Sequence, residues 1–277
     1  MIKQLASASL FALAISATPA MAQNTATTFD GLYVSGAVGL DAVNQGSSGL
    51  EFDTNRDGTF GDTVRTTGGL DAFSTGICAG GANGNAPGFG CDNDSDGMGY
   101  AVRVGFDKRF GDFVGGLLVE GSKSDAVESY TSFSTTPASY TYSRGIDYAI
   151  AARARLGVSP GDGRGLIYAT GGVGYADIDR DFRTTNGANS FALTSDDDMQ
   201  LGYQVGGGAE VLLGSAFTVG LEYLYSNYKD DDAFVGVGPG TAPATNPFLL
   251  NGGGTNLRPA DTKIDTHSFR VTAGFRF

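Results

Sequence analysis

The stretch Ser268-Phe269-Arg270-Val271-Thr272-Ala273-Gly274-Phe275-Arg276-Phe277 alternates strictly along its length. Phe269, Val271, Ala273, Phe275 and Phe277 fall on one face, and Arg270, Thr272, Gly274 and Arg276 on the other. Successive side chains of a strand point to opposite faces, so this segment reads as a strand with one apolar side and one polar, cationic side. In a soluble sandwich the apolar side turns inward. In a transmembrane barrel it turns out to lipid, and small and charged residues fill the lumen.

The opening of the chain bears on that choice. Met1-Ile2-Lys3-Gln4 carries one positive charge, an apolar run covers residues 5–15, and Ala20-Met21-Ala22 has the small-x-small form of a signal-peptidase site. Residues 1–22 are therefore read as a secretory signal and 23–277 as the exported domain. No later segment approaches the roughly 18 consecutive apolar residues of a spanning helix. If the exported chain enters a membrane, it does so as a barrel.

Composition narrows the partners. The chain has 44 Gly, 18 Phe, 12 Tyr and no Trp, and its glycines follow no three-residue period, which excludes collagen. A formal net charge of −12 argues against nucleic acid, because phosphate binding needs a cationic surface. Cys78 and Cys91 are the only cysteines. In an exported chain they are expected to form a disulfide.

Eight segments alternate or nearly so: 29–40, 100–110, 113–122, 142–158, 166–178, 201–213, 217–225 and the last, 268–277. The segment 166–178 assigns no face by itself, since Tyr168 and Tyr175 differ in parity. The connections at 111–112, 160–164 and 214–216 are short. Those at 41–97, 129–139, 186–198 and 230–259 are long. Eight strands of roughly ten residues, with every other connection short, predict an all-β, eight-stranded antiparallel up-and-down transmembrane barrel with long extracellular loops. A secreted sandwich, acting as a soluble β ligand-binding domain, stays open on the residues alone, although its connections have no reason to segregate by length.

The signal ending Ala20-Met21-Ala22, the penultimate strand Leu221-Glu222-Tyr223-Leu224-Tyr225-Ser226-Asn227-Tyr228, the alternating last strand and terminal Phe277 together resemble the small eight-stranded outer-membrane barrels of Gram-negative bacteria. The opacity-type porins and alphaproteobacterial surface antigens are the nearest pattern, over the mature chain except the insert at 41–97. The resemblance implies an outer-membrane location, contact with membrane lipid and lipopolysaccharide, and a monomer. It also implies that Phe275 and Phe277 form the signal read by the barrel-assembly machinery, although Thr272 stands where that signal commonly has Gly.

If the apolar faces meet lipid, then Arg103, Asp107, Glu120, Asp147, Arg153, Arg155, Glu210, Glu222, Arg270 and Arg276 all point inward. Eight strands leave an interior that side chains just fill. Charges there must pair, since an isolated buried charge is very costly. The expectation is a crossed network that plugs the barrel; a small diffusion porin, filtered by the same charges, is the alternative.

The first long loop contains Asp53-Thr54-Asn55-Arg56-Asp57-Gly58, which matches the opening of a calcium loop, and Asp62 could supply a late carboxylate. Asp92, Asp94 and Asp96 form a second such candidate. Neither carries a Glu at the twelfth position, which is Val64 or Arg103. No cofactor is required, and calcium is the one ion these residues suggest; a solvated acidic loop built of Asx turns is the other reading. An enzyme is not expected. His267 and Ser268 are adjacent, so on a strand they face opposite ways and do not pair as base and nucleophile, whereas the lipid-A deacylases of similar architecture carry the two residues on one face.

These residues describe a surface protein anchored by its barrel and presenting acidic loops for adhesion or cation bridging. One outcome follows from the end of the chain. Phe277→Ala is expected to leave export intact but reduce assembly into the outer membrane, read as loss of the heat-modifiable folded band in membrane fractions.

Overall fold

The computed structural model describes residues 29–43, 49–195 and 199–277; the leader read over 1–22 lies outside them. The strands are β1 (Gly31–Val43), β2 (Leu50–Asp53), β3 (Gly76–Ala79), β4 (Gly97–Phe110), β5 (Phe113–Ser124), β6 (Val127–Ser134) and β7 (Ala138–Val158). They continue with β8 (Gly165–Thr184), β9 (Ser190–Thr194), β10 (Met199–Leu213), β11 (Phe217–Lys229), β12 (Phe234–Gly238), β13 (Thr255–Pro259) and β14 (Lys263–Arg276). Pro87–Phe89 and Pro247–Leu249 are single 3-10 turns.

Eight of these strands make the barrel. In the order β1, β4, β5, β7, β8, β10, β11, β14 each pairs antiparallel with the next, and β14 returns to β1 from Tyr33↔Arg276 to Val43↔Thr266. The ring therefore has no free edge, which is what a sheet in hydrocarbon requires. Leu32, Val34, Val104, Phe106, Leu117, Leu156, Leu221 and Phe269 project outward and are exposed, while Tyr33, Arg103, Leu118, Glu120 and Glu222 project inward and are buried. Tyr168 faces in and Tyr175 out, which settles the parity of β8.

Small residues make room for the interior. A Cβ on Gly105 would lie 2.4 Å from the Tyr33 ring, and one on Gly116 would lie 2.0 Å from Asp107 Oδ1. These inward-lying glycines leave space for large side chains reaching across from the neighbouring strand.

Two features depart from simple alternation. Between Ile146 and Tyr148 the pairing of β7 with β8 shifts register, so Asp147 is an inserted residue. A bulge resets the two-residue period. Ile146 therefore turns in rather than out, and Asp147 turns out rather than in: its side chain is half exposed and pairs with Lys123 on the outer surface. The second departure is that the long connections carry strands of their own. Residues 129–139, read as a polar loop, are β6 and the start of β7 folded as a hairpin, Val127↔Gly145 to Ser134↔Ala138. One face carries Glu128, Tyr130 and Ser132 and the other Ser129, Thr131 and Phe133, a mixture that leaves no apolar period to detect.

Above the barrel, β2, β13, β12 and β9 form a second antiparallel sheet drawn from three of the long connections. Leu50, Phe52, Val235, Val237 and Leu257 pack with Tyr140, Tyr142 and Phe248 as its core. The extracellular side is thus a folded layer with its own apolar interior. Cys78 and Cys91 are joined by a disulfide, with β3 paired to β6 beside it.

A crosslink closing a loop of this size is worth about 3 kcal/mol through the entropy of the unfolded loop. Its effect here is local to the segment outside the ring. Cys78→Ser with Cys91→Ser is expected to raise protease cleavage between residues 76 and 97 while leaving the heat-modifiable mobility of the barrel unchanged.

Candidate functional site

Down the inward face of β7, charge and apolar layers alternate. Tyr140 and Tyr142 belong to the extracellular core, Arg144 follows, then Ile146 and Ala149, then Arg153 and Arg155. Each arginine meets carboxylates supplied by other strands, so β7 indexes the whole lumen.

The central tier joins three arginines to two glutamates. Arg103 holds Glu222 through both terminal nitrogens at 2.8 and 2.9 Å, and its Nη2 also lies 2.8 Å from Glu120. Glu120 further accepts from Arg153 at 2.5 Å and from Arg270 at 2.8 Å. The Tyr168 hydroxyl donates to Glu222 at 2.8 Å. Three guanidinium groups against two carboxylates leave one positive charge. Asp41, buried beside the tier, lines with Arg270, Gln204 and Tyr228 a cavity of about 20 Å³, the size of a single water.

Beneath it, Arg155 donates to both oxygens of Asp107, at 2.8 Å from Nε, and to Glu210 at 2.8 Å. Arg276 shares Asp107. Both guanidinium groups stack on aromatic faces: Arg155 lies 4.6 Å from the Tyr33 centroid and 5.0 Å from that of Tyr168, and Arg276 lies 4.9 Å from Phe29 and from Tyr33. Cations over ring faces in a dry setting are attracted by the ring quadrupole. Phe29, Val114, Leu166 and Leu212 close the lower end. Every charged side chain in these two tiers is at most 7% exposed.

A third tier stands at the extracellular mouth, above the apolar layer of Ile146, Ala149, Ala176, Ile178, Tyr228 and Ile264. Arg144 reaches Glu128 at 2.5 Å and Asp230 at 2.9 Å, and Arg180 reaches Asp230 at 2.8 Å. Burial pushes the Glu128 carboxyl up to about 7, against the opposing pull of Arg144. Sequence reading missed this tier. Glu128 and Asp230 sit in stretches without apolar period, and Arg144 lies beyond the bulge, where its true parity is hidden.

Of the ten charges expected to meet in the lumen, nine do; Asp147 lies outside. The candidate cation loop carries hydrogen bonds among its own residues. Asp53 accepts from the backbone N–H groups of Asp57 and Gly58 and from Asn256, Asn55 from Asp57, Asp57 from Thr59, and Asp62 from both the N–H and hydroxyl of Thr54. Asp94 accepts from Ser129 N–H at 2.7 Å, while Asp92 and Asp96 face solvent. Among the described residues no three His, Cys, Asp or Glu side chains gather into a group that could hold a metal ion. His267 turns outward, 2.8 Å from the Tyr223 hydroxyl, and Ser268 turns inward to Arg270. Phe275 packs on Phe217 with ring centroids 5.2 Å apart, and the Phe277 N–H donates to Leu32, so the end of the chain is fixed to both neighbouring strands.

Residues 8–277 match the family model described as the outer membrane protein beta-barrel domain. No curated protein sequence matches. Among solved structures, the outer membrane protein OprG from Pseudomonas aeruginosa aligns over 91% of this chain and 99% of its own, at 11% identity and a TM-score of 0.50. The outer membrane protease OmpT from Escherichia coli aligns over 90% and 98%, at 11% identity and a TM-score of 0.41. At these identities the first likeness is one of fold, and the second carries no argument about activity. With a closed ring of eight strands, an apolar outer wall and a family match across nearly the whole sequence, this chain belongs to the outer membrane protein beta-barrel domain family and is an outer-membrane barrel of the Gram-negative type.

Proposed function

We propose that the barrel is a sealed anchor, with its lumen plugged by its own ion pairs, and that the protein acts through the folded layer it holds outside the cell. The observation that carries this reading is the burial of Glu120 among three arginines from three strands, Arg103, Arg153 and Arg270. A conducting pore needs charges that face water and exchange partners with passing ions. Here the carboxylates are saturated by guanidinium groups, and apolar layers lie above and below them. Lipopolysaccharide is the lipid that the extracellular rim would meet, and the monomer suffices, because the ring closes within one chain.

Two measurements test the plug. In planar bilayers the purified protein is expected to give no stable open channel; a steady conductance at neutral pH would overturn the proposal in favour of a diffusion pore. In the second, Glu120→Gln removes a counter-charge from three buried arginines and is expected to cost about 3–5 kcal/mol, as breaking a buried pair does. Asp147→Asn, at a pair exposed to solvent, is expected to stay within about 0.5 kcal/mol. Urea unfolding followed by the gel-mobility shift compares the two.

A further inference from the structure

Beyond its anchoring role, we propose that the extracellular layer carries a binding site for a neutral sugar ring, in the cavity of about 290 Å³ at its tip. Four separate segments wall this cavity: residues 66–73, the β6–β7 tip at 134–140, the turn at 185–188 and the 3-10 turn at 246–248. Its size is at the lower end of small-molecule sites, roughly 300 Å³, which suits one ring and not an extended chain.

The lining chemistry selects the ligand. In a chain of net charge −12, no Asp, Glu, Lys or Arg lines the cavity. An anion would find no cation there and a cation no carboxylate, so the occupant is uncharged. One wall is aromatic. Phe73 is partly exposed into the cavity and backed by Phe52, Tyr140 and Phe248 at centroid distances of 4.4, 5.1 and 5.7 Å. The rim is hydroxylic: Thr135 and Thr136 are exposed on the hairpin tip, and the Thr135 N–H bonds to Ala72, beside Phe73. A pyranose presents an apolar ring face and an edge of hydroxyl groups, which matches an aromatic wall bordered by a threonine rim. An apolar peptide side chain would use the wall and leave the rim unused.

The walls are tied before any ligand arrives. Thr135 N–H donates to Ala72 at 2.8 Å, Ser139 N–H to the Thr185 hydroxyl at 2.9 Å, and Asn186 Nδ2 to the Tyr140 hydroxyl at 3.0 Å. Asn189 accepts from both Asn186 and Asn246 at 3.0 Å, which links the third and fourth walls. A preformed site loses little ordering entropy on binding. This inference stands whether or not the lumen conducts.

The test is saturation-transfer NMR on the full protein in lauryldimethylamine oxide, a detergent without a sugar headgroup. The probes are methyl α-glucoside, methyl α-galactoside, methyl α-mannoside, N-acetylglucosamine, glucuronate and N-acetyl-leucinamide. At least one neutral pyranoside is expected to receive saturation on its ring protons, with glucuronate at least tenfold weaker. Phe73→Ala and, on the exposed rim, Thr136→Arg are each expected to weaken that signal at least tenfold with the heat-modifiable shift retained. If Phe73→Ala disturbs the aromatic cluster itself, Thr136→Arg decides alone. Absence of transfer to every neutral pyranoside, an undiminished signal in Thr136→Arg, or preference for glucuronate or N-acetyl-leucinamide would overturn the assignment.

Discussion

An arginine inside an eight-stranded ring has nowhere to place its charge except on a carboxylate from another strand. The interior of such a ring is only as wide as its side chains, so water cannot solvate the guanidinium and the wall cannot move away from it. Arg103 on β4 and Glu222 on β11 meet with β1 and β14 between them, and Arg270 on β14 meets Glu120 on β5 with β1 and β4 between. These pairs form only when the ring is closed. The glycines at 105 and 116, the stacked tyrosines and the terminal pairing of β14 with β1 all serve that closure.

The long connections answer a different constraint. Outside the membrane, water can satisfy backbone groups, so a polar segment is free to be a loop; here it is folded instead, because Phe52, Val235, Val237, Phe248 and Leu257 supply enough apolar area for a core. The barrel supplies part of that core through Tyr140 and Tyr142, at the extended end of β7. One long strand thus belongs to both environments. The change from membrane to extracellular packing along it coincides with the bulge at Asp147, where its inward face passes from odd to even residues.

Much of the barrel is legible in the sequence, for a physical reason. A strand with lipid on one side and a filled lumen on the other must alternate, and residues 268–277 show that period without interruption. The number of strands and the side bearing the short turns follow from the same pattern. What was not legible depends on contacts remote in sequence. Period counting cannot see an inserted residue, so Asp147 was placed inward and Ile146 outward. Nor can it see β6, whose two faces both mix polar residues with a buried aromatic, Tyr130 on one and Phe133 on the other. Candidate lumen charges could be named from parity, but their partners could not, since Arg103 and Glu222 are 119 residues apart. The motif at 53–58 marks a turn rich in oxygens, but which N–H groups Asp53 accepts from depends on backbone geometry that the motif does not encode.

The charge tiers do more than fill space, and the reason lies in how a β-ring can go wrong. Slipping one strand by a single residue exchanges its two faces, and in hydrocarbon the backbone hydrogen bonds alone would not oppose every such slip. For β4 a slip would send Arg103 and Asp107 into lipid and leave Glu222, Arg155 and Arg276 each short of a partner. A buried ion pair is weak evidence for net stability, because the desolvation of both members offsets most of their attraction. Losing one member is costly, however, and each tier links at least three strands. The network therefore discriminates sharply between the closed, in-register ring and its neighbours while adding modestly to the depth of the native state. On this view the lumen selects the correct barrel, and the outer wall of Leu, Val and Phe holds that barrel in the membrane.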